Sequence, residues 1–202
     1  MKDFADLDKK KLRSRFLQER RAMPQSLRAS KSATIFEAVK TLPIYQKAEI
    51  IMFYSSFDGE TETDKIIKDV LKSGKTAAMA AIKDKEKKEM GAFKITSLNF
   101  YADTVMGIKQ PKLENEAEIS KSEIDLFFIP GIVFDLDCFR IGYGGGFFDK
   151  YLKGIPQGKT AGLCYDFQII DRVPREVFDA QLGVIISEKR ILQENLTIKA
   201  IS

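Results

Sequence analysis

The sequence predicts an α/β protein: a single domain of three layers, with helices flanking a largely parallel central sheet. Three observations support this prediction. Short apolar runs typical of buried strands alternate with longer segments typical of helices. The chain has 202 residues, 44% hydrophobic and 31% charged, which is enough for one substantial core or two small lobes. It contains no internal repeat, linker or low-complexity tract, so we expect residues 1–202 to form one domain.

The N-terminal half is predicted to hold three helices and three strands. Its first helix has no Gly or Pro before Pro24, and Leu12 and Phe16 lie one turn apart in it. The predicted elements are, in order, a helix over 8–23, a helix over 25–40, a buried strand over 48–54 and a loop over 55–63. They continue with a helix over 64–72, a strand over 75–82, a charged turn over 83–89 and a strand over 91–95. Thr63 is predicted to cap the helix over 64–72, and Ser73-Gly74 to end it.

The C-terminal half is predicted to contain strands and one glycine-rich loop. Its elements are a buried strand over 124–129 ended by Pro130-Gly131, a glycine loop over 140–149 that leads into a helix, and strands over 159–164 and 184–187. Ligands of parallel sheets bind beyond the carboxyl ends of the strands. Residues 58–62, Asp135 and the glycine loop are therefore candidates to meet in one crevice.

The glycine loop reads Arg-Ile-Gly-Tyr-Gly-Gly-Gly-Phe-Phe-Asp and is the segment hardest to explain as packing. Four glycines allow successive N–H groups to converge on an anion. Arg140 adds a charged fork suited to phosphate, and Asp149 adds an oxygen ligand suited to Mg²⁺. From spacing alone, a tight turn before a core helix fits equally well. The loop matches neither the P-loop pattern nor a complete dinucleotide fingerprint.

Composition narrows the possible chemistry. Histidine is absent, which excludes Ser/His and Cys/His nucleophilic catalysis and metals held by histidine. Cys138 and Cys164 are too few for a disulfide framework or a zinc cluster, and we interpret them as buried thiols. No apolar run reaches the roughly 20 residues of a membrane span, and no apolar signal core is seen, so we expect a cytoplasmic protein without membrane contacts.

The net charge of +4 is concentrated at the N-terminus. Residues 1–31 contain ten Lys or Arg and four Asp or Glu, a net charge of +6, so the remainder carries +4 minus +6, or −2. In the first predicted helix, Lys9, Arg13 and Arg20 share one stripe. The stripe is either a solvated basic face or a set of cations for a polyphosphate or nucleic acid.

Two neighbouring motifs carry a resemblance to a known family. Residues 130–135, Pro-Gly-Ile-Val-Phe-Asp, followed by residues 140–152, resemble the signature of the 5-formyltetrahydrofolate cyclo-ligases, also called methenyltetrahydrofolate synthetases. The family's N-terminal Lys-x-x-Leu-Arg matches residues 9–13, its acidic loop matches 59–63, and its C-terminal element matches 167–179. The matches occur in order over nearly the whole chain and favour a phosphate site at the glycine loop.

The resemblance implies an enzyme that uses ATP and Mg²⁺ to convert 5-formyltetrahydrofolate into 5,10-methenyltetrahydrofolate, with release of ADP and phosphate. ATP would phosphorylate the formyl oxygen, and N10 of the folate would then attack the activated carbon. Positioning and charge stabilisation carry most phosphoryl transfer, which suits a chain without histidine. The implied partners are these two small substrates and no nucleic acid, and we expect a monomer.

The resemblance also assigns residues to ligands. It assigns ATP to Lys9, Lys10, Lys11, Leu12, Arg13, Arg140, Ile141, Gly142, Tyr143, Gly144, Gly145, Gly146, Phe147 and Phe148. It assigns the folate to Ser55, Phe57, Glu60, Tyr143 and Phe147, magnesium to Asp149 and Asp179, and catalytic roles to Arg140, Tyr143 and Asp149. A carboxylate such as Glu60 can accept two N–H bonds from the edge of a pterin. The alternatives are a solvated acid for Glu60, core positions for Phe147 and Phe148, and a cap or surface carboxylate for Asp179.

The chain departs from the family pattern at four places. Phe147-Phe148 replaces a common Tyr-Tyr, Phe178-Asp179 a common His-Asp, Leu182-Gly183 a Leu-Asp, and Ala80-Ala81 a Pro-Arg whose cation Lys83 could supply. Because hydroxyls and the Pro-Arg are missing, a folate-binding relative without turnover is a second hypothesis. A nucleic-acid-binding module is the third and weakest, since the basic stripe is short.

Overall fold

The computed structural model describes residues 8–99, 101–114, 117–193 and 196–200. The helices are α1 (Lys9–Ala22), α2 (Gln25–Lys40), α3 (Pro43–Lys47), α4 (Asp64–Lys72) and α5 (Phe147–Tyr151). The strands are β1 (Ile50–Phe53), β2 (Thr76–Asp84), β3 (Glu89–Ile95), β4 (Tyr101–Val105), β5 (Ile108–Pro111), β6 (Glu118–Ile119), β7 (Leu126–Ile129), β8 (Val133–Asp135), β9 (Arg140–Ile141), β10 (Thr160–Leu163), β11 (Ile169–Ile170), β12 (Val184–Ile186), β13 (Arg190–Gln193) and β14 (Leu196–Ala200).

The main sheet has nine strands in the order β14-β13-β12-β10-β7-β1-β2-β3-β6. Its centre, from β12 to β2, is parallel, with registers such as Ile51 opposite Leu126 and Ala161 opposite Val184. Antiparallel strands extend both edges. The prediction of an α/β fold with a largely parallel sheet is therefore confirmed. The edge strands β6, β13 and β14 were not predicted.

The two faces of the main sheet are covered differently. One face packs against α2, α3 and α4, which contribute side chains such as Ile35, Tyr45 and Ile67 to a continuous core. The other face packs against the α5 region and a second sheet, β11-β8-β9, whose Phe134 is fully buried. Helices flank the first face as predicted, whereas a small sheet covers much of the second.

Helix α1 lies against the small sheet. Its N-cap is Asp8, whose carboxylate accepts a hydrogen bond from the Lys11 N–H at 2.8 Å. Leu12 and Phe16, one turn apart, pack against Ile132 and Val133. The apolar face of α1 therefore fixes the helix over the segment that leads into the glycine loop.

Two predicted roles of single residues are wrong. Thr63 occupies the N-cap position of α4 but makes no capping bond, because its hydroxyl instead donates to the Tyr54 carbonyl at 3.1 Å. Asp135 does not reach the crevice. Its buried carboxylate accepts the Phe139 and Val173 N–H groups, both at 2.9 Å, and so holds together the loops around β8.

A hairpin formed by β4 and β5, absent from the predicted elements, packs beside the end of β2. Gln110 anchors it, because its buried amide accepts from the Ile82 N–H at 3.1 Å and donates to the Ile82 carbonyl at 3.3 Å. This pairing substitutes for a strand–strand contact. The hairpin thereby adds a wall at the carboxyl end of the parallel strands.

Candidate functional site

A single cavity of about 470 Å³ lies at the carboxyl ends of the parallel strands. Its walls come from α1, the loop after β1, the β2–β3 turn, the β4–β5 hairpin, the glycine loop and the segment 176–179. These segments are far apart in sequence and meet because parallel strands end at the same edge of the sheet. The crevice expected from the strand pattern is therefore present.

The glycine loop forms one wall, between β9 and α5. Gly144 and Gly146 have φ values of +94° and +73°, which favour glycine. Gly145 is constrained sterically instead, since a Cβ there would lie 2.8 Å from the Phe147 ring. The Arg13 Nε donates to the Gly142 carbonyl at 2.7 Å and ties α1 to the loop. The loop thus has a braced conformation that side chains at these positions would disturb.

The basic stripe of α1 faces this wall. Lys9 and Arg13 line the cavity, and Lys9 Nζ contacts Asp179 at 2.6 Å and Glu176 at 3.2 Å. Burial alone would lower the pKa of Lys9, but these two ion pairs raise it. The stripe is therefore committed to the cavity and is not an open basic face.

Three predicted ATP contacts of α1 are not at the cavity. Successive helical residues point about 100° apart, so one face of α1 cannot present five residues in a row. Lys10 and Lys11 are exposed away from the cavity, and Leu12 is fully buried among apolar residues. Of the segment 9–13, only Lys9 and Arg13 line the site.

Arg140 and Asp149 form an ion pair at the base of the glycine loop. Arg140 Nη2 lies 3.0 Å from an Asp149 oxygen, and its Nη1 donates to the Ala180 carbonyl at 3.1 Å. Burial lowers the pKa of Arg140, while the Asp149 carboxylate opposes the change. The guanidinium is thus engaged in holding Asp149 and the segment around Ala180 beside the loop.

Asp149 and Asp179, the predicted magnesium ligands, both line the cavity. Within the described residues, each has one oxygen committed to partners: Asp149 Oδ1 to Arg140 and the Ala180 N–H, and Asp179 Oδ2 to Lys9 and the Glu176 N–H. The other oxygens form no hydrogen bond with these residues, and no cluster of three or more candidate ligands occurs among them. This donor set fits Mg²⁺, which is bound through one or two carboxylates together with substrate phosphates.

Glu60 is the buried acid of the loop after β1. It is 6% exposed, and its Oε2 accepts the Phe57 N–H at 3.1 Å. Its Oε1 has no hydrogen-bond partner within the described residues, and Arg20 Nη1 lies 4.0 Å from it. Burial raises the pKa of Glu60 to about 7, although Arg20 and the Phe57 N–H oppose this shift. Glu60 is therefore not a solvated acid.

Aromatic residues surround Glu60 and the mouth of the cavity. The Tyr143 and Phe57 rings are tilted against each other with centroids 6.0 Å apart. Ser55 and Phe147 also line the cavity. Phe148 lines it too, and packs against the cores on both faces of the main sheet. Burial and the nearby Glu60 raise the pKa of Tyr143, so its hydroxyl keeps its proton. The predicted folate contacts are thus together in one place.

Arg20 contributes to the site in a way that the sequence did not indicate. Its buried guanidinium donates to the Asp58 carbonyl at 3.0 Å, the Gly131 carbonyl at 3.2 Å and the Tyr143 hydroxyl. It thereby joins α1, the loop after β1 and the glycine loop. Its place in the stripe with Lys9 and Arg13 was the available signal.

Lys83, the residue that could have replaced the missing cation, is not at the cavity and pairs with Glu118 at 2.6 Å. Lys88, from the same turn region, lines the cavity instead. Met106, Ile108 and Gln110 of the unpredicted hairpin also line the cavity. No sequence pattern distinguished Lys88 from the other lysines of this charged segment.

Comparison with known proteins gives the site its context. The sequence profile of the family described as "5-formyltetrahydrofolate cyclo-ligase family" matches residues 5–188. That match covers most of the chain. The chain belongs to the 5-formyltetrahydrofolate cyclo-ligase family.

Individual relatives agree with the family assignment. The chain is 30% identical over 190 residues to a 5-formyltetrahydrofolate cyclo-ligase of Mus musculus, covering 89% of this chain and 93% of that protein. It is 26% identical over 181 residues to the cyclo-ligase of Escherichia coli K12, covering 86% and 97%. The NMR structure of Aquifex aeolicus 5,10-methenyltetrahydrofolate synthetase superimposes with a TM-score of 0.81 at 25% identity and 96% coverage of both chains.

Cyclo-ligases are ATP-dependent ligases of folate one-carbon metabolism, and this chain shares their activity, the conversion of 5-formyltetrahydrofolate into 5,10-methenyltetrahydrofolate. Cys138 and Cys164 are buried and form no disulfide bond with each other, as predicted for buried thiols. Among the described helices, none has the length and apolar character needed to cross a membrane.

Proposed function

We propose that the chain closes the folate ring by phosphorylating the formyl oxygen of 5-formyltetrahydrofolate with ATP inside this cavity. The formyl oxygen attacks the γ-phosphorus, and the bond between that phosphorus and the ADP oxygen breaks. The lone pair of N10 then attacks the formyl carbon, N10 loses its proton, and phosphate departs with the former formyl oxygen. Phosphorylation is needed because the oxygen of a formamide is a poor leaving group.

The observation that carries this proposal is the shared cavity. The buried carboxylate of Glu60, one oxygen of which has no hydrogen-bond partner among the described residues, lines the same space as a braced glycine loop with cations beside it. A pterin carries N–H donors suited to the first feature, and a triphosphate carries anions suited to the second. Binding both in one cavity would convert a bimolecular reaction into a positioned one.

Each wall is proposed to have a separate task. Glu60 receives pterin N–H groups, and Ser55, Phe57, Tyr143 and Phe147 face the folate. Lys9, Arg13 and the backbone of residues 140–148 hold the phosphates. Arg140 keeps Asp149 in place. Asp149 and Asp179 would hold Mg²⁺, which supplies neutralisation of phosphate charge as the γ-phosphoryl group is transferred.

The proposal is tested by absorbance, because the methenyl product has its own band. Purified protein with folinic acid and Mg-ATP at mildly acidic pH should give the band, and omission of ATP should abolish it. Asp149→Ala should lower turnover by at least about 100-fold, since removal of a metal ligand costs several kcal/mol of transition-state stabilisation. The exposed Asp171→Ala is the matched control and should be unaffected.

A second readout separates loss of metal from loss of folding. Titration of Mn²⁺ in the presence of ADP, followed by electron paramagnetic resonance, should show weakened metal binding in Asp149→Ala while its circular dichroism stays unchanged. Near-wild-type turnover of the variant would refute the metal assignment. A wild-type protein that binds folinic acid but forms no product with ATP would refute the phosphorylation mechanism.

We also propose that the protein acts as a monomer in the cytoplasm, with residues 1–202 as one domain. Helix α1, the loop after β1, the β4–β5 hairpin and the glycine loop enclose the cavity from several sides, which supports this part of the proposal. Light scattering after size exclusion should give the mass of one chain at micromolar concentration. A stable dimer would contradict this part of the proposal. Residues 1–7 and 201–202 lie outside the described residues.

A further inference from the structure

The turn between β2 and β3 carries a lysine to the edge of the glycine loop. Lys88 lines the cavity, and its Nζ lies 3.9 Å from the position that a Cβ on Gly146 would occupy. Its backbone has a φ of +51°, a left-handed conformation that lysine rarely adopts. Lys88 is exposed like its neighbours in the turn, but its side chain reaches the glycine loop.

The turn is braced against the helix that follows the glycine loop. Lys150 of α5 donates from Nζ to the Lys87 carbonyl at 2.6 Å. Within the turn, the Lys87 N–H donates to Asp84 Oδ1 at 2.9 Å. The position of Lys88 is thereby coupled to the helix that begins where the glycine loop ends.

Two of the cations that line the cavity differ from the others because they have no carboxylate partner among the described residues. Lys9 pairs with Asp179 and Glu176, and Arg140 pairs with Asp149. Arg13 and Lys88, in contrast, form no ion pair with any carboxylate in the part of the chain that the structure describes. A cation without a carboxylate partner beside a cavity is stabilised by an anionic ligand.

These two cations without carboxylate partners face the same stretch of backbone from different elements. The Arg13 guanidinium carbon lies 3.5 Å from the position of a Cβ on Gly144, and Lys88 lies beside Gly146. One comes from α1 and the other from the β2–β3 turn. An anion resting on the loop between Gly144 and Gly146 would have a cation at each end.

We propose that Lys88 is a further ligand of the ATP triphosphate, delivered by the β2–β3 turn and acting together with Arg13 across the glycine loop. This proposal rests on the proposed function, because it takes the loop as the phosphate site. It adds a residue and an element, the β2–β3 turn, to the nucleotide site.

The test compares Lys88→Met with Lys85→Met, which removes an exposed lysine of the same turn. Lys88→Met should raise KM for ATP and the inhibition constant of ADP by about 10-fold, as expected for loss of one charge-assisted contact. The inhibition constant of adenosine and KM for folinic acid should not change. Lys85→Met should match the wild type, and Lys88→Arg should recover most of the ATP affinity.

The outcomes separate this proposal from the broader one. If the wild type neither binds ATP nor forms product, the proposed function fails. If the wild type is active but Lys88→Met leaves KM for ATP and ADP inhibition unchanged, only the role of Lys88 is refuted. A rise in KM for folinic acid alone would place Lys88 on the folate and would also overturn the proposal.

Discussion

The burial of Glu60 affects both the proposed binding of the pterin and the folding stability of the free protein. It is buried with one oxygen unpartnered within the described residues, which raises its pKa to about 7 from the usual 4.5. The carboxylate that we propose for pterin recognition is therefore costly to hold ionised in the free protein. A pterin that donates N–H bonds to it would relieve this cost. The cavity is thus prepared for a ligand with N–H donors, and the protein without that ligand is less stable as a result.

The pH dependence of stability tests this balance. Between pH 4.5 and about 7, the folded protein keeps a proton on Glu60 that the unfolded chain has released, so stability should fall as pH rises through this window and then level off. At about pH 8, Glu60→Gln should be more stable than the wild type by about 1–3 kcal/mol. Urea denaturation at about pH 5 and about pH 8 measures the difference.

The same variant should bind folinic acid about 100-fold more weakly, because an amide NH₂ stands where an acceptor is needed. Glu62→Gln, in the same loop but away from the cavity, is the control and should change neither property. Equal stability of Glu60→Gln and the wild type at about pH 8 would show that the raised pKa is wrong.

For single residues, the sequence predicted which side chains line the cavity better than it predicted the contacts that these side chains make. Glu60, Tyr143 and Asp149 were chosen through motif resemblance, and all line the cavity. Arg140 was expected to present its fork to phosphate, yet that fork is occupied by Asp149 and Ala180. The partners come from segments that no local pattern connects, so they could not be read from spacing.

Among the elements, α1 does most to assemble the site. Arg20 of this helix reaches carbonyls on two different loops and the hydroxyl of Tyr143, and its side chain is fully buried. A guanidinium can satisfy several acceptors at once, which an ammonium cannot do in the same geometry. The helix is therefore attached to the site by a polar contact as well as by Leu12 and Phe16.

Replacing Arg20 should lower the stability of the folded protein. Arg20→Met leaves buried carbonyls unpaired and should destabilise the protein by about 3 kcal/mol. Because the loops after β1 and before α5 lose their common anchor, KM for folinic acid should also rise. Thermal unfolding and steady-state kinetics measure the two effects.

Arg21→Met provides the matched control, since Arg21 is exposed and binds Asp58 from the outer side. Little change in either property is expected for it. If Arg21→Met changed stability and KM for folinic acid as much as Arg20→Met, the burial of Arg20 would not explain the effect of its replacement.

Long, strongly patterned elements were predictable, and short polar ones were not. The helices over 8–23, 25–40 and 64–72 and the buried strands are long or strongly apolar segments, and the structure contains each of them. The β4–β5 hairpin and strand β9 are short segments that pair with neighbouring strands, and the two-residue strand β11 forms by pairing with the distant β8. Tertiary pairing therefore decides what local propensity leaves open.

For the whole molecule, the contact between the two sheets is the decisive packing feature. Phe134 of the small sheet lies over β10, where a Cβ on Gly162 would be 2.7 Å from its ring and 2.9 Å from a Leu182 methyl. A Cβ on Gly131 would also meet this ring, at 2.5 Å. The ring therefore occupies space that only glycines leave free.

Gly162→Ala should separate the sheets slightly and destabilise the protein by about 2 kcal/mol through overpacking. Gly158→Ala, where a Cβ would meet nothing within 4 Å, should be neutral. Urea denaturation gives both values. An unchanged midpoint for Gly162→Ala would show that the sheets are not in close contact at this point.

The layer arrangement could be predicted only in part. Alternation of strands and helices indicated a parallel sheet, and the relatives with the same fold agree. That a second sheet covers one face depends on Phe134 and Gly162, which are 28 positions apart, finding each other in space. Spacing in the sequence contains no information about such a pair.

The distance along the chain between the parts of the site bears on how the protein is made. Lys9 and Asp179, which meet at 2.6 Å, are 170 positions apart. On a ribosome, α1 emerges long before the glycine loop and the segment that carries Asp179, and contacts of such separation form late and slowly. A chain whose synthesis has not reached Asp179 therefore lacks one wall of the cavity. We expect the cavity to be completed only after this C-terminal segment has been made.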